Sequence, residues 1–329
     1  MTMKIGMLGV AHAHANAYVG AAEGVEDAAV VAVADDDKAR GQEFADRHDI
    51  EYGPTADVLD QVDIGVVCAA NADHREWVEQ AAEAGVDVLC EKPLATTAED
   101  GQAMVEACEE TGVTLGVAMP VRFNEPIRHA KAAYEDGELG DLQAIIGTNL
   151  LTWMAAGSWI TDPEQAGGGA ITDHTVHVVD LARWITGQEV TEVYAESGTL
   201  FNDELDVEDV DLLSMELEDG TPFTHDGSWC QPDTWDFWGD VTMRLIGTEK
   251  VIEVDCFDRT LKQTTAEDGI WQVDWGENMN EGMVRDFVEA VREGREPEVS
   301  GAEGLKEVKV VEAAYESVES GGPVEISYD

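Results

Sequence analysis

The residue types most able to do chemistry are a carboxylate and an imidazole in the stretch from Gly167 to Gly187, GGGAITDHTVHVVDLARWITG. Three glycines permit a sharp turn, and apolar residues at helical spacing follow them. In that helix Asp173 and His177 are i,i+4 neighbours and would lie side by side. Such a pair suits proton transfer, because the carboxylate orients the ring and stabilises its charged form. A buried helix whose polar face meets a neighbouring element would give the same pattern.

A second candidate for proton chemistry is Lys92, in the sequence Glu91-Lys92-Pro93 after a predicted strand. A lysine at a strand end is usually solvated, and this tripeptide also occurs by chance. At the carboxyl edge of a parallel sheet, however, the lysine would face a ligand cleft. Desolvation there would favour the neutral amine, which can serve as general base or acid for an alcohol.

The elements that must position these residues begin with short apolar runs that alternate with helical patterns. This alternation predicts a parallel sheet with right-handed crossovers, the doubly wound class. The later part of the chain instead shows alternating strands with glycine-containing turns, followed by two helices at 283–292 and 305–318. The predicted strands are 4–8, 30–34, 64–69, 86–90 and 114–118 in the first part, and 190–198, 211–217, 221–229, 242–246 and 249–255 in the second.

A dinucleotide loop is expected directly after the first strand, where the fingerprint G-x-G-x-x-G belongs. The sequence Gly9-Val10-Ala11-His12-Ala13-His14 keeps only the first glycine. Ala11 still permits close approach of a pyrophosphate, whereas His14 departs from the fingerprint, so this motif alone is weak evidence. Asp35, after the second strand, would bind the ribose hydroxyls and reject a 2′-phosphate, which favours NAD over NADP.

His12 and His14 also raise a metal hypothesis, with His174 or His177 as a further ligand. H-x-H without a nearby third ligand is a poor zinc signature, so we expect no metal. The two rings are instead expected to pack on the cofactor, hydrogen-bond to it or cap the helix.

Composition limits the class of protein and its partners. The 329 residues suggest two domains, and 70 acidic against 19 basic residues give a formal net charge of −51. Because the carboxylates are spread along the chain, we interpret the charge as adaptation to a salt-rich cytoplasm, as in halophilic archaea, rather than as a platform for basic partners. Nucleic acid and anionic membranes are poor partners for such a surface.

The location predicted from the sequence is the cytoplasm. Five isolated cysteines without a C-x-x-C pair fit reduced thiols rather than disulfides or zinc. The first residues lack the pattern of a signal peptide, and no apolar run approaches the length of a membrane span.

Several motifs in order resemble the Gfo/Idh/MocA (glucose–fructose oxidoreductase, inositol dehydrogenase) family. They are AANADHREWVEQAAEAGVDVLCEKPLA, MPVRF, the glycine-led stretch above, and VRDFVEAVREGREPEVSG with VVEAAYESVESGGPVEI. The resemblance implies an α/β Rossmann domain over residues 1–121. It also implies an α+β domain over 122–329, with a largely antiparallel open-faced sheet that binds substrate and mediates a homodimer or homotetramer.

The resemblance assigns Lys92 as the catalytic lysine, Asp173 as its acidic partner and His177 as the proton-transferring histidine, and leaves His174 and Asp180 structural. Whether Lys92 or His177 is the immediate base stays open. Tentative substrate contacts are Arg122, Asn124 and one or two of the tryptophans at 153, 159, 229, 235 and 238, with Trp159 preferred. The cofactor would contact Gly9, Ala11, His12, His14, Asp35, Asn71, His74, Glu91 and Pro93.

The implied activity is hydride transfer between NAD, or less readily NADP, and a hydroxyl carbon of a sugar, polyol or sugar-derived substrate. Two alternatives stay open. One is an enzyme that recycles bound NAD to act as a lyase, glycosidase or epimerase. The other is a non-catalytic NAD-binding sensor, although a sensor needs no lysine, aspartate and histidine set.

We predict that fold and activity fade on dialysis from about 1 M KCl to low salt, because screening of the acidic surface then weakens. Circular dichroism and turnover across a KCl series measure this. A chain that stays folded and active at low salt would contradict the interpretation of its charge.

Overall fold

The computed structural model describes residues 2–232, 234–235, 239–257, 261–265, 269–273 and 276–328. The first part of the chain builds a six-stranded sheet in the order β3-β2-β1-β4-β5-β6, with every pair parallel. This is the strand order of a doubly wound dinucleotide-binding sheet, so the predicted Rossmann fold is confirmed. Its strands are β1 (Met3–Val10), β2 (Ala28–Ala34), β3 (Glu51–Tyr52), β4 (Ile64–Cys68), β5 (Asp87–Glu91) and β6 (Leu115–Ala118).

Helices cover both faces of this sheet, which is why its strands are nearly continuous apolar runs. All five residues of β4 are buried, as are the last six of β1. The helices are α1 (Ala15–Glu23), α2 (Lys38–His48), α3 (Thr55–Leu59), α4 (His74–Glu83) and α5 (Ala98–Thr111). Helix α5 begins where the Thr97 hydroxyl accepts the Asp100 N–H, and it ends at Gly112, with φ of 76°.

The second part of the chain builds a seven-stranded sheet in the order β12-β11-β7-β10-β9-β8-β15. Only the pair β7–β10 is parallel within it, so the expectation of a largely antiparallel sheet is confirmed. The strands are β7 (Leu142–Thr148), β8 (Val190–Gly198), β9 (Val210–Leu217), β10 (Pro222–Asp226), β11 (Thr242–Gly247), β12 (Val251–Asp255) and β15 (Val324–Glu325), and a separate ribbon pairs β13 (Leu261–Thr265) with β14 (Gly269–Val273).

The helices of this part are α6 (Glu125–Glu135), α7 (Pro163–Ala166), α8 (Ala170–Thr186), α9 (Met279–Glu293) and α10 (Gly301–Ser320). Side chains alternate across the seven-stranded sheet. Ile145 and Phe223 are buried on the face that the helices cover, whereas Ile146 and Leu212 are 41% and 54% exposed on the other face. The sheet therefore has one open face.

Helix α8 is buried on every side. Fifteen of its seventeen residues are buried, and it contacts α6 and α10 as well as β7, β8 and β9. Its polar residues therefore lie inside the protein, where each needs a hydrogen-bond or ion-pair partner. This differs from an amphipathic helix with a solvent-exposed polar face.

The two helices that follow β14 return to the first sheet. Helix α9 packs on α1, and α10 packs on both α5 and β6. A division into domains at residues 121 and 122 stays a prediction. Within the described residues, none of the helices combines the length and apolar character that crossing a bilayer requires.

The turn before α8 predicts a large effect of one methyl group. A Cβ at Gly168, where φ is 154°, would lie 1.8 Å from the Tyr315 hydroxyl and 2.4 Å from the Thr172 hydroxyl. Gly187 ends the same helix with φ of 69° and open space around it. A Gly187→Ala substitution therefore adds backbone strain alone, which costs about 1–3 kcal/mol of stability. We expect Gly168→Ala to lower the free energy of unfolding by at least about 1 kcal/mol more than Gly187→Ala.

Denaturant unfolding at high salt measures the two variants side by side. Equal losses in both would mean that the contacts with Tyr315 and Thr172 do not constrain the turn.

Candidate active site

A cavity of about 490 Å³ opens between the carboxyl edge of the six-stranded sheet and α8. The loop after β1 lines one side, Lys92 after β5 lines the floor, and Asp173 and His177 on α8 line the opposite wall. The fold thus brings the three predicted catalytic residues to one cavity, from segments up to 85 positions apart in the sequence. Whether they catalyse a reaction stays a prediction.

Lys92 and Asp173 form a buried ion pair. The Lys92 Nζ lies 2.5 Å from Asp173 Oδ1 and also donates to the Asp173 carbonyl oxygen at 3.2 Å. Burial alone would raise the pKa of Asp173, but the charges of Lys92 and His174 and their hydrogen bonds hold it well below its usual value. Asp173 is therefore an ionised carboxylate that binds the ammonium group from α8.

His177 is a neutral imidazole at the cavity wall. Burial first, and then the charge of Lys92, lower the pKa of His177 to about 3. Its Nδ1 has no hydrogen-bond partner within the described part of the chain. This nitrogen is therefore free to form a hydrogen bond with a bound molecule.

The expected pairing of Asp173 with His177 needs a correction. The second carboxylate oxygen of Asp173 lies 3.2 Å from Nε2 of His174, the next residue along α8. The other ring nitrogen of His174 lies 2.5 Å from the carbonyl oxygen of Gly227. The carboxylate thus contacts Lys92 and the adjacent histidine.

The N-terminus of α8 is held by a carboxylate that sequence reasoning missed. Glu208 Oε1 accepts the N–H groups of Gly169 and Ile171, at 3.0 and 3.1 Å, and the hydroxyl of Tyr315 at 2.7 Å. A negative charge at this position satisfies free amide groups and interacts favourably with the helix dipole. Glu208 precedes β9, some 39 positions away, and no local sequence signal connects it to α8.

The glycine at the end of β1, just before the loop, is required for a steric reason. Gly9 has φ of 68°, and a Cβ there would lie 2.7 Å from the Cβ of Ala69. The loop then lines the cavity with Ala11, His12 and His14. This arrangement fits the first turn of a dinucleotide-binding fold, in which the first glycine makes the tight turn.

His14, at the third glycine position, is hydrogen-bonded to Glu91. The two side chains meet at 2.9 Å, and the Tyr18 hydroxyl donates to the other carboxylate oxygen at 2.5 Å. Burial would raise the pKa of Glu91, but the interaction with His14, including its hydrogen bond, and the charge of Lys92 lower it strongly. The departure from the glycine fingerprint therefore joins the loop and α1 to the end of β5.

His12, His14 and Glu91 are the one group among the described residues whose ligand atoms could share a metal ion, within 4.8 Å of one another. Hydrogen bonds already occupy them: His12 Nδ1 accepts the His14 N–H at 3.1 Å, and burial first lowers the pKa of His12 to about 3. Since Nδ1 accepts, the neutral His12 ring carries its hydrogen on Nε2, which suits donation rather than metal binding. We therefore propose no metal here.

Asp35 does not offer a free carboxylate for ribose hydroxyls. Its oxygens accept the N–H groups of Val10 and Asp37 at 2.7 and 2.8 Å, and the Arg40 guanidinium binds both oxygens from 2.8 to 3.1 Å. A ribose could bind here only if Arg40 released the carboxylate. The assignment of Asp35 to the cofactor stays a prediction that includes this exchange.

Asn71 lines a small pocket that continues the cavity past Lys92 and Asp173, whereas His74 and Pro93 do not line the cavity. Asn71 donates to the carbonyl oxygen of Ala166 at 2.9 Å. His74 is fully buried, and its Nδ1 lies 3.0 Å from the carbonyl oxygen of Pro93. These residues fix the turn that follows Lys92 and the position of α7, so their contact with a cofactor stays a prediction.

Arg122 and Asn124 already have partners inside the protein, so their contact with a substrate stays a prediction. Arg122 is buried and binds Asp180 with Nε and Nη2, the latter 2.5 Å from Oδ1, because an unpaired guanidinium inside the protein would be costly. Asn124 donates to the Cys256 carbonyl oxygen at 2.8 Å. Arg122 thus joins the segment that crosses between the sheets to α8, and Asn124 joins it to the residue after β12.

Trp159 lies in the cavity wall, and its indole N–H donates to the Ala11 carbonyl oxygen at 3.1 Å. Trp229 is buried, Trp153 is exposed, and Trp235 lies outside the cavity lining. Trp238 lies outside the described residues. Asn149, which sequence reasoning missed, lines the cavity, and its Oδ1 has no hydrogen-bond partner in the described ranges.

A buried acid lies beneath His174. Asp211 on β9 accepts the Gly227 N–H at 3.1 Å with Oδ1, and Oδ2 has no hydrogen-bond partner among the described residues. Burial raises the pKa of Asp211 to about 7, although the charge of His174 and the Gly227 hydrogen bond oppose the rise. The carboxyl group is therefore protonated below neutral pH in the folded chain.

Two models of one protein family match consecutive parts of the chain. The model described as an oxidoreductase family with an NAD-binding Rossmann fold matches residues 3–119. The model described as the GFO/IDH/MocA C-terminal domain matches residues 127–253. Together they span the six-stranded sheet and most of the seven-stranded sheet.

Similar proteins extend over nearly the whole chain. D-apiose dehydrogenase of Paraburkholderia graminis is 29% identical over 92% of this chain and 84% of its own length. D-xylose 1-dehydrogenase (NADP(+)) 2 of Haloferax volcanii is 29% identical over 98% and 100%. The structure of GenD2 from gentamicin A biosynthesis, in complex with NAD, has a TM-score of 0.89 and 25% identity over 99% and 97% of the two chains.

Asp211 predicts a pH-dependent stability. Its pKa is about 7 when folded and about 3.9 when unfolded, so the stability it contributes is present below pH 4 and is lost as the pH rises to 7. The loss is on the order of 4 kcal/mol, at 1.36 kcal/mol per unit. Asp211→Asn cannot ionise, so we expect its stability relative to the parent chain to increase over this range.

Denaturant unfolding from pH 4 to 8 measures the effect, with exposed Asp206→Asn as the control for loss of one surface carboxylate. If Asp211→Asn followed the same pH dependence as the parent, a raised pKa at Asp211 would be excluded.

Proposed function

The chain belongs to the GFO/IDH/MocA oxidoreductase family, and from this membership we propose that it oxidises a hydroxyl carbon of a sugar, polyol or related compound with NAD. The observation that carries the proposal is the group of Lys92, Asp173 and His177 at one cavity, on the carboxyl edge of a dinucleotide-binding sheet. Ligands bind at this edge in doubly wound folds.

The residues around the loop after β1 fit an NAD molecule. The tight turn at Gly9, the small Ala11 and the start of α1 could hold the pyrophosphate, and Asp35 could bind the ribose after Arg40 moves away. When bound, NAD⁺ supplies the acceptor for the hydride of the substrate carbon. The similar Haloferax protein is named for NADP⁺, and NAD is preferred here because Asp35 is followed by two further aspartates.

The three polar side chains would manage the hydroxyl proton. The immediate base stays open between His177 and Lys92: Nδ1 of His177 has no hydrogen-bond partner among the described residues, but burial lowers the pKa of His177 to about 3, which weakens it as a base. The Lys92 ammonium would donate a hydrogen bond to the substrate oxygen while Asp173 holds it in place. Burial of the three groups excludes bulk water, which strengthens their electrostatic effect on the reacting oxygen.

The cavity has the composition of a carbohydrate site. Trp159, Met154 and Phe257 provide apolar surface, while the free Oδ1 of Asn149 can accept from a hydroxyl. The names of the similar D-apiose and D-xylose dehydrogenases support a sugar as the substrate class.

We further propose a salt-rich cytoplasm as the site of action and a homodimer or homotetramer as the assembly. The dispersed net charge of −51 and five free cysteines support the first. The open face of the seven-stranded sheet, with Ile146, Tyr194 and Leu212 exposed, supports the second, because contiguous exposed apolar surface favours an interface.

We predict that Lys92→Met reduces turnover by at least about 10²-fold while NAD binding changes little, because the lysine serves the reacting oxygen. The assay follows NADH formation with a panel of sugars and polyols in about 1 M KCl, and calorimetry measures NAD binding. Lys250→Met is the control, since Lys250 pairs with Glu138 on the surface.

Parent-like turnover in Lys92→Met would remove the lysine from the mechanism. If the parent chain binds NAD but forms no NADH with any compound of the panel, the result would favour an enzyme that recycles bound NAD or a non-catalytic sensor.

A further inference from the structure

We propose that His174 is a positioning residue of this site, held as an imidazolium that fixes the Asp173 carboxylate opposite Lys92. The proposal deepens the proposed function and rests on it. It gives a role in the reaction to a histidine that the sequence assigns only to structure.

Both ring nitrogens of His174 face groups that only accept hydrogen bonds. Nε2 lies 3.2 Å from Asp173 Oδ2, and Nδ1 lies 2.5 Å from the Gly227 carbonyl oxygen. The Asp173 carboxyl group is ionised, since its pKa is well below the usual value. A neutral imidazole has one N–H and could donate to one of them only. Two donors require the doubly protonated, positively charged ring.

The acceptor on the second sheet is itself held in place. Gly227 donates its N–H to Asp211 Oδ1 at 3.1 Å. A Cβ on Gly227 would lie 2.7 Å from His225 Nε2 and 2.8 Å from Asp211 Oδ2, so only glycine brings its carbonyl group to this position. The edge of the Trp229 ring, 6.3 Å from the His174 ring, completes the wall.

The ring is buried, 4% exposed, among charged and titratable side chains. Those that face it are Lys92, Asp173 and His177 at the cavity, and Asp211, His225 and Asp240 on the side of the second sheet. His177 and His225 are neutral, because burial first and the His174 charge among other causes lower the pKa of each to about 3. The imidazolium therefore has Asp173 as its direct counter-ion and Asp211 behind it.

This arrangement occupies each oxygen of Asp173 with a different cation. Oδ1 binds Lys92 and Oδ2 binds His174, so the carboxylate cannot rotate without breaking a charge-assisted hydrogen bond. The position of the Lys92 ammonium group thereby depends on a series of contacts from Asp173 through His174 and Gly227 to Asp211 on β9. Loss of the second cation would leave the carboxylate free to turn and the lysine misplaced.

Two substitutions test the role in kinetics. His174→Phe keeps a ring without donors, and His174→Gln keeps one donor without charge. Because a misplaced group can cost about 10²-fold in rate, we expect kcat to fall about 10²-fold for Phe and less for Gln. The KM for NAD should stay within about twofold, since His174 does not reach the loop after β1. A kcat equal to that of the parent chain in His174→Phe would overturn the proposal. A variant in which only KM rises, with kcat unchanged, would overturn it as well.

The charge of the His174 ring can be tested without any substrate. A failure of this proposal is therefore distinguishable from a failure of the proposed dehydrogenase function. Nuclear magnetic resonance of ¹⁵N-histidine in the parent chain at pH 7.5 reports ring nitrogens, at a pH where a free histidine is mostly neutral. We expect a doubly protonated ring whose signals His174→Gln removes. Absence of a doubly protonated ring in the parent chain would overturn the proposal, even if His174→Gln failed to fold. If the variant kept every signal of a doubly protonated ring, the proposal would also be overturned.

Discussion

The buried ion pair between Lys92 and Asp173 is the interaction on which the rest of the site depends. It joins the end of β5 to α8 and so connects the two sheets at the cavity. A buried ion pair offsets the cost of removing two charges from water only when its geometry is good and its remaining oxygens are bonded. The His174 ring contacts the remaining oxygen of Asp173, while Glu208 holds the start of the helix that carries it.

The same constraint explains the altered cofactor loop. Glu91 precedes Lys92 on the chain and points to the opposite side, where His14 and Tyr18 bind its two oxygens. The end of β5 is thus bonded both to the loop after β1 and to α8. In this chain a histidine at the third glycine position replaces close helix packing with a hydrogen bond to a buried carboxylate.

The sequence predicts the elements well where a local pattern determines them. Nine of the ten predicted strands and both late helices lie within a few residues of their observed positions, and the tenth, predicted over 221–229, ends early at Asp226. Strand β7 was missed, because Gln143, Ala144 and Gly147 weaken its apolar alternation. The predicted site residues that gather at the cavity are those with a motif around them. Partners separated by long stretches of chain, such as Asp180 for Arg122 and Gly227 for His174, have no local signal.

Helix α10 has a consequence for how the two halves of the chain can move. It packs against α5 of the first sheet and against α8 and β8 of the second, and its Glu303 binds Arg183 of α8 at 2.8 Å. A hinge rotation of one half against the other would separate α10 from one of these neighbours and expose buried charge. Helix α10 thus resists rotation of one half of the chain against the other, and with it any change in the spacing between Lys92 and Asp173.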